Sequence, residues 1–376
     1  MSKYLGKTEY THGSREKLGI LVTNLGTPDA PETAPLRRYL REFLWDPRVV
    51  EVPRLLWWLI LNGVILRIRP SRSAEAYRSV WTEAGSPLLS CAREQAVGLR
   101  DRLAPRLSGP VEVALGMRYG NPSIPSALRQ LHALNVTRLL VLPLYPQYSA
   151  STVGSTFDAV AAELMRWRWV PDLRFVGRYH EEPGYIAALA ASIREHWEQH
   201  GRGEHLLMSF HGVPRRYLDS GDPYHCQCHK TARLVAERLG LEEGSWSTTF
   251  QSRFGREEWL KPYTDETVKA LGRKGLKRID VVCPGFSADC LETIEEIAEE
   301  NAGFFREAGG ETLSYIPCLN TRDDHLDFLA ELTLSNLQGW PETGPAPEPE
   351  QLQAEAQARQ ARAEKMIAAR EAGELG

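Results

Sequence analysis

Short apolar runs bounded by Gly and Pro recur along the chain, and amphipathic stretches separate them. Residues 18–24 (Leu-Gly-Ile-Leu-Val-Thr-Asn), 111–115 and 138–144 form a first set of such runs. Residues 173–176, 206–210 and 279–283 form a second. Runs this short and this uniformly apolar predict strands buried on both faces. Residues 123–134, 185–200 and 230–239 carry apolar side chains at helical spacing and predict helices between them. Strands alternating with helices predict an α/β protein with mostly parallel sheets covered on both faces. Two clusters of strands predict two similar doubly wound domains, joined near residues 160–172, with the working crevice between them.

Three regions break this rhythm. Residues 53–69 hold an apolar run with two tryptophans, Trp57 and Trp58, followed by Leu59 and Ile60, with Arg54, Arg67, Arg69 and Arg72 on its flanks. The run is too short to span a bilayer. Its composition fits an element lying in a membrane interface, or a buried core helix near a turn. Residues 225–229 read His-Cys-Gln-Cys-His. The spacing departs from that of a zinc finger, and a solvated loop is expected there. Residues 339–376 are rich in Pro, Ala, Glu and Gln and predict a linker followed by an isolated polar helix or a disordered tail, dispensable for the core. The segment before it, 323–337, is amphipathic and predicts a packed terminal helix. The expected divisions are therefore 17–165, 166–320, 321–338 and 339–376.

Composition narrows the function classes. A chain of 376 residues suits two domains, and 42% hydrophobic with 25% charged residues is ordinary for a globular protein. A net charge of −4 gives no electrostatic case for binding nucleic acid. The six cysteines are dispersed and form no disulfide framework, and residues 1–17 are polar, unlike a signal peptide. A reducing cytoplasm is the expected compartment. No phosphate loop of the G-x-x-x-x-G-K type occurs, and no G-x-G-x-x-G follows a predicted strand, so nucleotide use is not expected.

Candidate chemistry sits at the strand ends. Ser209-Phe210-His211-Gly212-Val213-Pro214 closes one predicted strand and sets His211 at its C-terminal end, the edge where open α/β sheets bind ligands. The run 284–293 follows another strand and delivers Glu292 to the start of a helix at a comparable edge. Such a pair can hold a divalent metal or move protons. Glu292, Glu296 and Glu300 recur every four residues, so they share a helical face along which carboxylates could relay protons or hand over a hydrated cation. A π-bulge is a further expectation for that helix. Asp289 stands just upstream, placed to orient His211 or help move a proton. Arg118 at a third strand end suits an acidic substrate group, and residues 144–154 suit an anion nest. Residues 251–260, with Arg253, Arg256 and Trp259, suit the floor of a flat, apolar, acid-bearing ligand site.

Taken together, these runs resemble the ferrochelatases, which insert ferrous iron into a porphyrin. The resemblance covers residues 18–337 and includes Asn24-Leu25-Gly26-Thr27-Pro28, Gly85-Ser86-Pro87, Met117-Arg118-Tyr119-Gly120, Tyr145-Pro146-Gln147-Tyr148-Ser149, Gln251-Ser252-Arg253-Phe254-Gly255 and Phe286-Ser287-Ala288-Asp289-Cys290-Leu291-Glu292-Thr293. It implies two Rossmann-like, chelatase-type domains with the porphyrin cleft between them. It implies His211 and Glu292 as the central catalytic and metal-binding pair, and Asp289, Glu296 and Glu300 as a proton or metal relay. Leu25, Arg118, Tyr119, Tyr148, Ser149, Ser151 and Trp259 are implied to receive or shape the porphyrin. The segment of Trp57, Trp58, Leu59 and Ile60 is implied to be an apolar lip touching the inner membrane from the cytoplasmic side. The implied substrates are protoporphyrin IX and Fe2+, with handover from the preceding protoporphyrinogen-oxidising enzyme. No tightly bound cofactor is implied. Some relatives hold a 2Fe-2S cluster on C-terminal cysteines, but no cysteine follows Cys318 here, so that cluster is not expected. Position 290 is Cys where some relatives have His. Two other readings remain: insertion into coproporphyrin III, which carries four propionates, and a non-catalytic haem or porphyrin carrier.

Overall fold

The computed structural model describes residues 4–6, 14–255, 257–345 and 348–372. Arg256, the last four residues of the tail and most of the polar opening run lie outside the described residues. The described strands form two four-stranded sheets. Lys17–Thr27 (β1), Val111–Gly120 (β2), Val136–Pro143 (β3) and Asp172–Phe175 (β4) lie in the order β2-β1-β3-β4. His205–His211 (β5), Trp246–Gln251 (β6), Arg278–Val282 (β7) and Thr312–Ile316 (β8) lie in the order β6-β5-β7-β8. Every pairing within both sheets is parallel. The two orders are the same: the first strand of each half is central, and the chain steps to one side of it and then crosses to the other. That reversal opens a crevice at the carboxyl ends of β1 and β5.

The apolar runs explain the burial. Along β1, Leu18, Ile20 and Val22 face one layer of helices while Leu21 faces the other, and all four are essentially inaccessible. At the end of β1 the backbone must turn sharply. Gly26 holds φ of +105°, and a Cβ there would stand 1.8 Å from the Tyr119 carbonyl oxygen, so only glycine fits the run Asn24-Leu25-Gly26-Thr27-Pro28. Prolines at the start of Pro87–Leu103 and Pro183–His200 preset the helical φ where no N–H is needed.

Two expectations about the sheets are corrected. β4 pairs with β3 and so belongs to the first sheet, although the run 173–176 was expected to open the second set. The division between residues 165 and 166 therefore cuts across the first sheet. A four-residue edge strand carries no sign of its partner in its own sequence. β6 and β8 were not foreseen, because Trp-Ser-Thr-Thr-Phe-Gln and Thr-Leu-Ser-Tyr-Ile are too polar to read as apolar runs.

The two halves share a core. The helix Asp323–Leu337 follows the second sheet in sequence but packs against Pro87–Leu103 and β3 of the first half, and also against Pro183–His200. One apolar cluster contains Ile20 and Leu140 of the first sheet with Met208, Phe210 and Val282 of the second.

The stretch 225–229 is the first turn of the helix Tyr224–Leu239, not a solvated loop. Tyr224, Gln227, Cys228, Thr231, Ala232 and Val235 form its buried stripe, and that spacing is helical. The segment after residue 338 is not free either. Glu342 is buried and accepts hydrogen bonds from the Arg138 guanidinium at 2.6 and 3.1 Å, so the chain is clamped to β3 before the exposed helix Pro349–Glu371 begins. Among the described residues no helix is long and apolar enough to cross a membrane.

Candidate active site

A cavity of about 350 Å³ lies between the carboxyl ends of the two sheets. The first half contributes Leu25, Trp57 and Tyr77, and the second contributes His211, Trp259 and Glu292. Most of its wall is carbon. The cavity therefore suits a large apolar body held by a few polar groups.

His211 is the last residue of β5. Its Nδ1 lies 2.6 Å from the Gly212 carbonyl oxygen. A carbonyl can only accept, so Nδ1 carries the proton, and in the neutral ring Nε2 keeps a lone pair free. The backbone on either side is fixed. The His211 carbonyl accepts from the Tyr224 hydroxyl at 2.9 Å, and the Gly212 N–H donates to the Gln251 carbonyl at 2.8 Å. Gly212 is glycine for want of space, since a Cβ would meet that same carbonyl at 2.8 Å and the Trp259 ring at 3.1 Å.

Glu292 lies in the short helix Leu291–Thr293, which runs directly into a π-helix, Ile294–Asn301. Cys290 caps it: its side chain accepts from the Thr293 N–H while the Thr293 hydroxyl accepts from the Cys290 N–H. Gln251, opposite His211 in the ladder, joins the two candidates. Its Nε2 donates to the Glu292 carbonyl at 2.7 Å, and its Oε1 accepts from the Ser209 hydroxyl at 2.7 Å. Sequence reasoning missed this role, although Gln251 heads the run 251–260 already singled out as a candidate floor.

The π-helix gives the carboxylate ladder its line. Widening each turn to close i→i+5 bonds brings residues four apart closer to one row than an α-helix does. Glu292 lines the cavity, Glu296 is mostly buried, and Glu300 is exposed, so the row runs from the cavity to solvent. Burial pushes the Glu296 carboxyl up to about 7, aided by the charges of Glu292 and Glu300, against hydrogen bonds from Ser252 that lower it. Glu295 is raised as well, first by burial and then by Glu300, Glu299 and Glu292.

Several expected positions fall elsewhere. Asp289 is committed to structure: its carboxylate accepts from Tyr315, Thr293, the Cys318 N–H and Asn320, and no hydrogen bond joins it to His211. Leu25, Ser149, Ser151 and Trp259 line the cavity, whereas Arg118, Tyr119 and Tyr148 do not. Arg118 and the Tyr119 hydroxyl instead converge on the buried Asp46 behind the wall. The anion nest is filled from within, because the Asp222 carboxylate accepts from the Ala150 N–H at 2.7 Å and from Ser149 at 3.2 Å. Three wall donors are left without partners among the described residues, the Thr27 and Tyr145 hydroxyls and the Trp259 indole N–H. Orphaned buried donors are rare and costly, and they suit a ligand that completes them.

The two tryptophans of the lip diverge. Trp57 is buried and donates its indole N–H to the Leu44 carbonyl at 2.7 Å, so it belongs to the cavity wall and not to an outer surface. Trp58 is 52% exposed, beside exposed Leu55, Leu56, Leu59 and Ile60.

The sequence profile described as Ferrochelatase matches residues 17–337. A protein named Ferrochelatase from Thioalkalivibrio sulfidiphilus is 65% identical over 361 residues, covering 96% of this chain and 98% of that one. Another of that name from Marinobacter nauticus is 62% identical over 344 residues, covering 91% and 93%. Among solved structures, SirB from Bacillus subtilis with Fe3+ gives a TM-score of 0.50 at 12% identity, covering 87% of this chain and 100% of that one, a likeness of fold alone.

Proposed function

The chain belongs to the ferrochelatase family and is a metal-inserting enzyme of haem biosynthesis, and on that premise we propose that it inserts Fe2+ into protoporphyrin IX, with His211 and Glu292 as the reacting pair. The observation that carries this reading is the free Nε2 of His211 in one cavity with Glu292 at the head of a carboxylate row leading to solvent.

Insertion replaces two pyrrole N–H protons by one divalent ion and releases both protons. A flat macrocycle hides its nitrogen lone pairs. Apolar walls such as Leu25, Trp57 and Trp259 can hold the ring bent, at a strain of several kcal/mol drawn from binding energy along its edges. His211 Nε2 then accepts a pyrrole proton or meets the arriving ion. Glu292 takes the other proton, and Glu296, titrating near neutrality, passes it toward Glu300 and solvent. The unpartnered donors of Tyr145 and Trp259 meet the substrate's polar edge. Asp289 acts as a brace for the loop before Glu292. Every group invoked is a side chain, so the reading needs no resident cofactor.

Charge supports protoporphyrin over coproporphyrin. Among the described cavity-lining residues the single Arg or Lys is Arg216, and it is already paired with Glu51 and Glu257. Among those described residues four propionates would find no free cation. The exposed face of Leu55, Leu56, Trp58 and Leu59, beside basic residues, supports peripheral contact with the inner membrane from the cytoplasm, where the substrate's producer could hand it over. The test is an anaerobic absorbance assay with Fe2+ and each porphyrin. Faster loss of the free protoporphyrin bands is expected. Faster turnover of coproporphyrin III would overturn the substrate assignment, and tight porphyrin binding without insertion would overturn the reacting pair.

A further inference from the structure

Outside the cavity, the helix Tyr224–Leu239 sets two histidines one turn apart on its partly exposed side. The ring centroids of His225 and His229 are 4.4 Å apart, with the planes inclined at 53°. Both rings rest on the buried Phe250, at 5.7 and 6.0 Å, which restricts their rotation. Neither ring has a hydrogen-bond partner among the described residues, and neither lines the cavity. Burial is the larger influence holding both imidazoles below their usual pKa, with Arg215 adding to the effect on His225 and His225 adding to it on His229. At neutral pH both are therefore uncharged and able to coordinate.

A second pair at the same spacing provides an internal contrast. His196 and His200 are 4.5 Å apart, with their rings stacked at 21°. His196 Nε2 is bound to the Ser314 hydroxyl at 2.7 Å, and His200 Nδ1 reaches the His196 carbonyl. Those rings are already hydrogen-bonded, whereas among the described residues His225 and His229 are not.

We propose that His225 and His229 form a second divalent-metal site that chelates a late first-row ion such as Zn2+ or Ni2+. Two neutral imidazoles four residues apart on a helix can reach one ion at about 2.0–2.1 Å from each nitrogen. No group of three or more His, Cys, Asp or Glu able to hold a metal occurs among the described residues. Water therefore fills the remaining positions, and the bound ion exchanges. With no thiolate and no carboxylate in the set, affinity follows the intrinsic order of the divalent ions, in which Fe2+ binds more weakly than Ni2+. The pair thus holds competitors of the iron substrate, away from the cavity.

The test is calorimetric titration of the untagged full chain with Zn2+. The comparison variants are the double substitution His225→Gln with His229→Gln, the double substitution His196→Gln with His200→Gln, and His211→Ala. The first double variant is expected to lose one equivalent of Zn2+ while keeping its thermal unfolding and its basal iron insertion, since neither ring lines the cavity. The other two variants are expected to retain that equivalent. An unchanged stoichiometry in the first variant would overturn the proposal, as would loss of the same equivalent in His211→Ala, which would put the ion in the cavity.

Discussion

A carbonyl oxygen next to His211 decides which nitrogen of the ring is available, and that single contact gives the candidate base its direction. His211→Ala and Glu292→Gln should each lower insertion by at least ~100-fold, the lower range of acid–base contributions, with unchanged thermal unfolding. Retained turnover in a well-folded variant would remove the residue from the mechanism. Glu296 gives a pH signature. Its carboxyl, normally near 4.5, is raised to about 7, so between those values the folded protein binds more protons than the unfolded chain. The stability this group provides is full below about 4.5 and is lost as pH rises through 7. Relative to Glu296→Gln, the native chain should lose on the order of 2 kcal/mol across that window, after allowance for partial exposure. Denaturant titrations at pH 5 and 8 would measure it, and parallel curves would rule the shift out. His211 was legible in the sequence because a strand end followed by Gly and Pro is a local signal. The commitment of Asp289 was not, because its partners Tyr315, Cys318 and Asn320 arrive from 26 to 31 residues away.

Among the elements, the segment of the two tryptophans divides at a single step. Neighbouring residues on a helix point about 100° apart, so Trp57 enters the cavity wall and Trp58 faces out. Composition marked the segment but could not choose between core and interface, and the structure buries one tryptophan and exposes the other. Trp58→Ser should reduce co-sedimentation with anionic liposomes and leave insertion in detergent near native. Trp57→Ser should instead lower thermal stability and detergent activity, through an unpaired Leu44 carbonyl and a hole in the wall. Equal behaviour of the two would contradict this division. The helix over 225–229 shows a different failure of reading. The stripe Tyr224, Gln227, Cys228, Thr231 was present in the sequence, but its polar and sulfur-bearing members do not register as apolar periodicity until they are seen buried.

Across the whole molecule, repetition and entanglement act together. Six of the eight described strands were legible from apolar runs, because parallel strands covered on both faces must be apolar. The partner of β4 and the crossing of Asp323–Leu337 onto the first half were not, because both depend on tertiary contacts. One apolar cluster spanning both sheets predicts a single cooperative transition, which calorimetry would read as equal calorimetric and van't Hoff enthalpies. Two resolved transitions would mean that the halves fold independently. The clamp at Glu342 belongs to the same scale. Glu342→Ala leaves Arg138 half-buried with only Glu16 for company and should cost about 2 kcal/mol, read as a lowered Tm. Cutting the chain after residue 345 should cost little.

The shared core also bears on traffic. Two lobes welded through a common interior cannot swing apart like a jaw, so a broad, flat substrate has to slip in and out past the rim. The segment 54–65 stands at that rim, with Trp57 in the cavity wall and an exposed apolar outer face. On the proposed membrane contact, turnover should follow the softness of the lipid beneath the rim. Fluid lipid should quicken release and gel-phase lipid should slow it, with the chemistry of the interior unchanged.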